Sequence, residues 1–319
     1  MVLESLIGER NIRKNPLLML VITFVISIGS ILIAQLVFPA HASVLSVAFI
    51  TIGLVPLVHN ILAKEEYQEA LQRKSSTTFF ARHFNLIMIY IWIFVGIILA
   101  FSVMYIAMPT EMKQTSFDEQ MNAFCQISGA DSCSGGVANS ISGKATSIAF
   151  NECKNPSTKN VASCSFFILE NNFKVLVAIL LFSLLYGAGA IFIIAWNASI
   201  IGMFFGEMIL VGAHGKWFGL LQGMLIGHGP PELLSYVFGA LAGAILSAMV
   251  SKGQFLRHEF STILKDVAFL TFLAVFSIIY AAVVEGVGIL GFGDIYYLLG
   301  FIYVLAIILM VFFYGKRVR

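Results

Sequence analysis

Six stretches of about 20 mostly apolar residues, the length with which an α-helix crosses a bilayer, are distributed along this chain. They cover Pro16–Phe38, Val44–Leu62, Leu86–Met108, Val175–Trp196, Val267–Val284 and Ile295–Phe313. Only 11% of the 319 residues are charged, against about 25% in soluble domains, and 59% are hydrophobic. Such a chain has too little polar surface to cover a water-soluble globule. We therefore predict an all-α, polytopic helical membrane protein with roughly seven or eight hydrophobic helices.

The same composition restricts the partners of the chain. A net charge of +2 is too small for a protein that neutralises many phosphates, and we expect no nucleic-acid binding. The lipid bilayer is the first expected partner. Other membrane or cell-envelope proteins are further candidates, and the sequence leaves open whether copies of the chain form a homo-oligomer.

The basic residues predict the orientation of the chain. Thirteen of the 19 lysines and arginines lie in short segments before the first span, between the second and third, before the penultimate one and after the last. Because cytoplasmic segments are enriched in lysine and arginine, we place both termini in the cytoplasm. The predicted organisation is an N-terminal interfacial helix with three spans (1–108), an extracytoplasmic loop (109–172) and a C-terminal membrane bundle (173–319). The protein is thus expected to be multi-pass in the cytoplasmic membrane.

All four cysteines of the chain lie in the 109–172 loop. They are Cys125, Cys133, Cys153 and Cys164. Cysteines in an exported segment commonly pair, and a loop this small would benefit from covalent cross-links. The segment has neither a CxxC pair nor a histidine, which makes a metal site the weaker alternative. We predict two disulfides and leave their pairing open.

The block 197–250 is apolar but too interrupted to be an ordinary pair of spans. Its strongest interruption is Gly229, Pro230 and Pro231, which disfavour continuation of a helix, although a proline can open the next one. Two arrangements satisfy the predicted topology: a re-entrant pair of helices, or a broken crossing followed by a full span. Broken backbone at membrane depth is tolerated where protein or a water-filled cavity satisfies its polar groups.

Small residues recur at four-residue spacing within this block. Gly202 and Gly206 form one pair, and Gly239, Gly243 and Ser247 form a second series. Small residues at this spacing allow membrane helices to approach each other closely. We predict a packing role for them rather than a role in ligand binding.

Polar residues in the apolar part of the chain are the candidates for a functional site. They are Asn197, Glu207, His214, His228, Glu232 and Glu285. A carboxylate in the bilayer core costs several kcal/mol unless it is paired, hydrated or protonated. His228 and Glu232 are four residues apart and could meet across the turn. Three interpretations stay open for this pair: a structural helix cap, a proton or substrate pathway, and a metal or acid–base catalytic pair.

Signatures of hydrolytic or nucleotide-dependent enzymes are missing from the sequence. It contains no GxSxG, no HExxH and no phosphate-binding GxxxxGK[ST] motif. One His–Glu pair has a histidine too few for a convincing zinc site, and although His214 could complete it, the spacing does not require this. We therefore predict no catalytic residue, no bound metal and no cofactor, and favour a non-enzymatic role.

Several separated motifs resemble the stage II sporulation protein M family, in particular its archaeal members. The resemblance begins at Val2-Leu3-Glu4-Ser5-Leu6 and continues through Ala42-Ser43-Val44-Leu45, Lys64-Glu65-Glu66, Tyr186-Gly187-Ala188-Gly189-Ala190, Trp196-Asn197-Ala198-Ser199, Gly202, His228-Gly229, Pro231-Glu232, Gly239, Gly243 and Glu285. The cysteine-bearing loop lies outside it.

The resemblance implies a membrane scaffold rather than an enzyme. The bacterial namesake is a membrane anchor in a complex with cell-wall-degrading partners, a sporulation context that archaeal relatives lack. The leading hypothesis is a non-enzymatic membrane component that organises partners at the cytoplasmic membrane. The alternatives are a transporter or channel with a polar intramembrane site at the His228–Glu232 break and, third, an intramembrane metal or acid–base enzyme.

Overall fold

A computed structural model describes residues 15–72, 79–128, 160–210, 212, 221–223, 225–251 and 260–315. Its α-helices, numbered in chain order, are α1 (Leu18–Val37), α2 (Ala42–Gln72), α3 (Phe79–Ala107), α4 (Thr110–Ser116), α5 (Asp118–Ser128), α6 (Val161–Tyr186), α7 (Ala190–Leu210), α8 (Gly229–Ser251), α9 (Phe260–Ile289) and α10 (Gly293–Gly315). A 3-10 turn at Pro39–His41 joins α1 to α2. No strand occurs in these ranges.

Seven of these helices are long and apolar enough to cross a membrane, and the described part of α10, Gly293–Leu309, is a shorter apolar helix. This confirms the predicted all-α, polytopic fold with seven or eight hydrophobic helices. Many large apolar side chains point away from the bundle, among them Leu36 and Leu185, which are 78% and 80% exposed. Exposed apolar surface of this extent is suited to contact with lipid tails.

The long helices pack in two groups of four. One group contains α1, α2, α3 and α7, and the other contains α6, α8, α9 and α10. Glycines set the closest approaches within both groups. A Cβ atom on Gly202 of α7 would lie 2.6 Å from the Ile98 carbonyl oxygen of α3, and one on Gly243 of α8 would lie 2.5 Å from the Ser183 Cβ of α6. A Cβ on Gly206 would lie 2.9 Å from the Tyr105 Cβ and one on Gly239 2.6 Å from a Leu176 methyl group, which confirms the packing role predicted for these four glycines.

The predicted fourth span, Val175–Trp196, is wrong. The chain instead turns at Gly187–Gly189, within the predicted span. The helix before this turn, α6, begins at Val161, and the helix after it, α7, continues to Leu210. Gly187 has a φ of +59°, in the left-handed region that favours glycine, and a Cβ on Gly189 would overlap the carbonyl oxygen of Phe182. Residues 161–172, expected in the loop, therefore belong to α6, and 197–210 belong to an uninterrupted helix.

Contacts between neighbouring helices support alternating crossings. Gly202 and Gly206 of α7 face Ile98 and Ser102 of α3 in the same order, so these helices run parallel. The register of α8 on α6 is parallel in the same way, since Gly239 faces Leu176 and Gly243 faces Ser183. Both relations are expected of helices separated by one intervening crossing. They favour a full crossing at α8 over a re-entrant pair, while the orientation of the termini stays a prediction.

The orientation is testable with cysteines placed at two positions. We expect a cysteine placed at Asn122 of α5 to react with a membrane-impermeant maleimide in intact cells, because α5 lies beyond the outer end of α3 in the predicted topology. A cysteine placed at Glu65 should react only after lysis. The parent chain measures labelling of the native cysteines. Labelling at Asn122 only after lysis would contradict the orientation.

The disulfides predicted for the loop also stay a prediction. Cys164 lies in the first turn of α6 and is buried, whereas the side chain of Cys125 and all of Cys133 and Cys153 lie outside the described residues. We expect mass spectrometry of unreduced, alkylated peptides to find no alkylated cysteine. Four alkylated cysteines in protein purified without reductant would contradict the two disulfides.

Candidate functional site

Three of the predicted polar residues meet at one point of the bundle. His228 directly precedes α8, Glu232 lies in the first turn of α8, and Glu285 lies near the end of α9. One nitrogen of His228 and one carboxylate oxygen of each glutamate all lie within 4.8 Å of one another, and each side chain is half-buried. We call these three residues the polar cluster. It lies at the end of the bundle that the predicted topology places outside.

The interruption of the chain brings His228 close to Glu232. The backbone breaks at Gly227 and His228, and Gly229, Pro230 and Pro231 form the opening of α8 rather than a gap between helices. The carbonyl oxygen of His228 accepts a hydrogen bond from the Glu232 amide at 3.1 Å, which is the first bond of the helix. Proline is tolerated there because the first amides of a helix have no partner within it.

Two tyrosines orient the side chains of the polar cluster. The Tyr296 hydroxyl, on α10, lies 2.9 Å from Nδ1 of His228. The Tyr236 hydroxyl donates a 2.9 Å hydrogen bond to Oε1 of Glu232, one helical turn away on α8. These contacts leave Nε2 of the imidazole and the second carboxylate oxygen of Glu232 for other partners. Glu285 makes no hydrogen bond within the described part of the chain.

Glycines allow Tyr296 to reach His228. A Cβ atom on Gly288 would lie 2.7 Å from the Tyr296 ring, and one on Gly223 would lie 2.8 Å from its hydroxyl oxygen. A Cβ on Gly227 would overlap the same hydroxyl group. The ring is therefore enclosed by backbone from two helical segments, and its position is fixed by packing as well as by its hydrogen bond.

The polar cluster contains two carboxylates and one imidazole, without a lysine or an arginine to balance the carboxylates. Within the described residues, the charged groups that act on Glu232 are Glu285 and His228, and neither a lysine nor an arginine is among them. Two carboxylates this close in an apolar bundle repel each other, and each loses solvation. A bound proton or a cation would remove this cost, so the site is suited to a positively charged ligand.

The other predicted site residues lie elsewhere. The Asn197 side chain donates to the Ile193 carbonyl oxygen within α7, at 2.9 Å. Glu207 is buried on α7, where it lies close enough to Tyr105 of α3 to interact with its hydroxyl group. His214 lies outside the described residues. Asn197 and Glu207 thus have local partners and do not join the polar cluster.

Sequence reasoning missed both tyrosines of the site. Tyr236 had a detectable signal, because it follows Glu232 by four residues on a predicted helix and so lies on the same face. Tyr296 had none, because it comes from another helix and its approach depends on glycines in two separate segments of the chain.

Comparison with known proteins gives one match. The family model described as Stage II sporulation protein M matches residues 20–288, a range that includes the whole polar cluster. No curated protein and no solved structure matches the chain.

Proposed function

The chain belongs to the stage II sporulation protein M family, and from this premise we propose that it is a non-enzymatic multi-pass membrane component that organises partner proteins at the cytoplasmic membrane. The observation that carries the proposal is a pair of short helices, α4 and α5, which fold onto the end of the bundle that the basic residues assign to the outside. We call this pair the platform.

The platform is held by a buried amide. Gln120 of α5 is fully buried, and its Nε2 donates to the Ser43 carbonyl oxygen at 3.1 Å and to the Ser199 hydroxyl at 3.3 Å. These partners belong to α2 and α7, so one side chain joins the platform to two long helices. A buried amide with two fixed partners favours one position of the platform over others.

Aromatic contacts hold the platform on both sides of Gln120. Phe117 is buried against Phe101 and Tyr105 of α3, with ring centroids 5.8 and 5.1 Å apart. Phe124 stacks on Phe204 of α7 at 4.2 Å. Each aromatic pair of this kind contributes about 0.5–1.5 kcal/mol of stability beyond the contribution of the apolar area that it buries.

The opposite face of the platform is exposed and acidic. Glu111, Asp118 and Glu119 lie on it, while Lys113 is turned toward the ring of Tyr105, 5.1 Å from its centroid. A rigid polar surface beside the membrane is suited to docking an envelope protein with a basic or hydrogen-bonding face.

A second element beyond the bilayer is α2, which continues to Gln72, past the end of its apolar part at Leu62.

Site-specific photo-crosslinking in native membranes tests the proposal. A photoreactive amino acid at Glu119 should give a few discrete adducts, whose proteins mass spectrometry identifies. The same amino acid at Phe272, which is 62% exposed on α9 and faces lipid, is the matched control. Gln120→Leu should weaken the Glu119 adducts because the platform loses its anchor. Equal, diffuse crosslinking from both positions would refute a docking role.

A second candidate function, a transporter or channel, is favoured by the polar cluster. Two carboxylates without a basic partner can bind a cation that crosses the membrane, and many transporters bind substrate where a helix is broken. Purified protein in liposomes should then conduct protons or metal cations, and Glu285→Gln should abolish the flux. If parent and variant are equally silent while Glu119 still gives discrete adducts, the scaffold proposal stands and the transport candidate fails.

A further inference from the structure

We propose that His228, Glu232 and Glu285 bind one divalent transition-metal ion, with zinc as the best match to their ligand atoms. The proposal does not depend on the scaffold function, because the platform and the polar cluster are built from different helices. It assigns a ligand to residues for which the sequence predicted no metal.

The distances of the polar cluster fit a single ion. Zinc binds histidine nitrogen and carboxylate oxygen at about 2.0–2.2 Å, so two ligands of a tetrahedral ion are about 3.3–3.6 Å apart. The ligand atoms here lie within 4.8 Å of one another. Rotation of the two glutamate side chains about their flexible bonds would bring the ligand atoms to this spacing.

The contact with Tyr296 prepares His228 as a ligand. When Nδ1 carries the proton, it donates a hydrogen bond to the Tyr296 hydroxyl oxygen, and Nε2 has a free lone pair. Metal-binding histidines commonly have their second nitrogen held in this way, which fixes both the tautomer and the ring plane. Tyr236 has the same orienting role for Glu232, since it holds one carboxylate oxygen and leaves the other unbound.

Charge balance is a separate argument for a divalent ion. When both are ionised, Glu232 and Glu285 carry two negative charges, and the groups that act on Glu232 include His228 but no lysine or arginine in the described part of the chain. One divalent cation neutralises both carboxylates. It also gives the Glu285 carboxylate a partner, since this group accepts no hydrogen bond from the described residues. The ion would thus remove the repulsion and the desolvation cost together.

The ligand types decide between metals. An imidazole with two carboxylates favours zinc or manganese over magnesium and calcium, which prefer sites made of oxygen alone. Three protein ligands leave a coordination position free on a four-coordinate zinc ion. A water molecule or a polar group of a partner can occupy that position, because the cluster lies where α8 begins and α9 ends and its side chains are only half-buried.

Metal analysis of the full-length protein in detergent tests this proposal. After treatment with a chelator and buffer exchange, titration with zinc chloride followed by isothermal calorimetry should give one site per chain. Glu285→Gln should weaken zinc binding at least tenfold, since the amide keeps the shape of the carboxylate but loses its charge. Tyr296→Phe should weaken it about tenfold, the usual effect of losing an orienting partner.

The matched control is Glu207→Gln, which alters another buried glutamate of the bundle and should bind zinc like the parent. Circular dichroism and gel filtration establish that each variant is folded, and His228→Ala provides a second variant if Glu285→Gln does not fold. Parent protein that binds no zinc would overturn the proposal in favour of protonated glutamates. Zinc binding that is unchanged in both Glu285→Gln and His228→Ala would overturn it too, since the ion would then lie elsewhere.

Discussion

Replacing Gly202 by alanine is expected to lower the free energy of unfolding in detergent by about 1–3 kcal/mol, the usual cost of overpacking. The added Cβ would lie 2.6 Å from the Ile98 carbonyl oxygen and 2.7 Å from the Phe101 Cβ. The first of these is backbone and cannot rotate away, so α3 and α7 must separate. Ser102 donates a 2.8 Å hydrogen bond to the Gly202 carbonyl oxygen, and separation would weaken that bond as well.

Gly29 is the matched control for this substitution. It lies within α1, and a Cβ atom there would meet nothing within 4 Å. Alanine is favoured over glycine in helices by up to about 1 kcal/mol, so Gly29→Ala should leave stability unchanged or slightly raised. Thermal unfolding of both variants beside the parent measures the difference. Equal melting temperatures for Gly202→Ala and Gly29→Ala would contradict the close packing of α3 and α7.

Replacing Glu232 by leucine and by glutamine should give two different results. Leucine removes the acceptor of the Tyr236 hydroxyl, which lies on a side chain that is only 3% exposed, and an unsatisfied buried donor costs about 1–3 kcal/mol. Glutamine keeps an acceptor oxygen at the same position and should retain folding. Both substitutions remove the repulsion from Glu285, so the comparison isolates the hydrogen bond. Thermal unfolding in the presence of a chelator measures it.

The background variant Tyr236→Phe is the control. In that background glutamine at position 232 should lose its advantage over leucine, because no hydroxyl is left to satisfy. A modest loss of stability in Glu232→Gln, with cation flux that tracks stability, would assign this residue a structural role as a helix cap. A well-folded glutamine variant that has lost the cation flux of the parent would instead favour a titrating or charged role. If Glu232→Leu and His228→Leu both match the parent in stability and activity, a functional role for these residues is refuted.

The fold was largely predictable because long apolar stretches have few alternatives in a bilayer. Hydrophobic length alone located α1, α2, α3, α9 and α10. Most of the predicted ends of these spans lie within a few residues of the observed ends. The error came where two spans follow each other with only Gly187–Gly189 between them. A hydropathy pattern does not distinguish that turn from helix interior, because Gly187 and Gly189 flank an alanine in an apolar context and glycine is common in membrane helices.

The candidate site was predictable only in part. Polar and charged side chains are energetically costly in the bilayer, which identified His228, Glu232 and Glu285 as unusual. The proline break indicated that the first two lie close together. That Glu285 joins them depends on the register of α9 against α8, which is set by side-chain packing over the whole interface. The same packing separates Glu207 and Asn197 from the cluster, although by residue type they were equally good candidates.

A double-mutant cycle between His228 and Glu285 is the most direct test that the polar cluster is one site. The free energy of unfolding is measured for the parent, His228→Gln, Glu285→Gln and the double variant, with Glu207→Gln and Glu285→Gln as a control pair. The account predicts that the effects at His228 and Glu285 depart from additivity by more than about 0.5 kcal/mol, as residues in contact do. It predicts additivity for the control pair. Additive effects at His228 and Glu285 would mean that these residues act independently and would contradict the site.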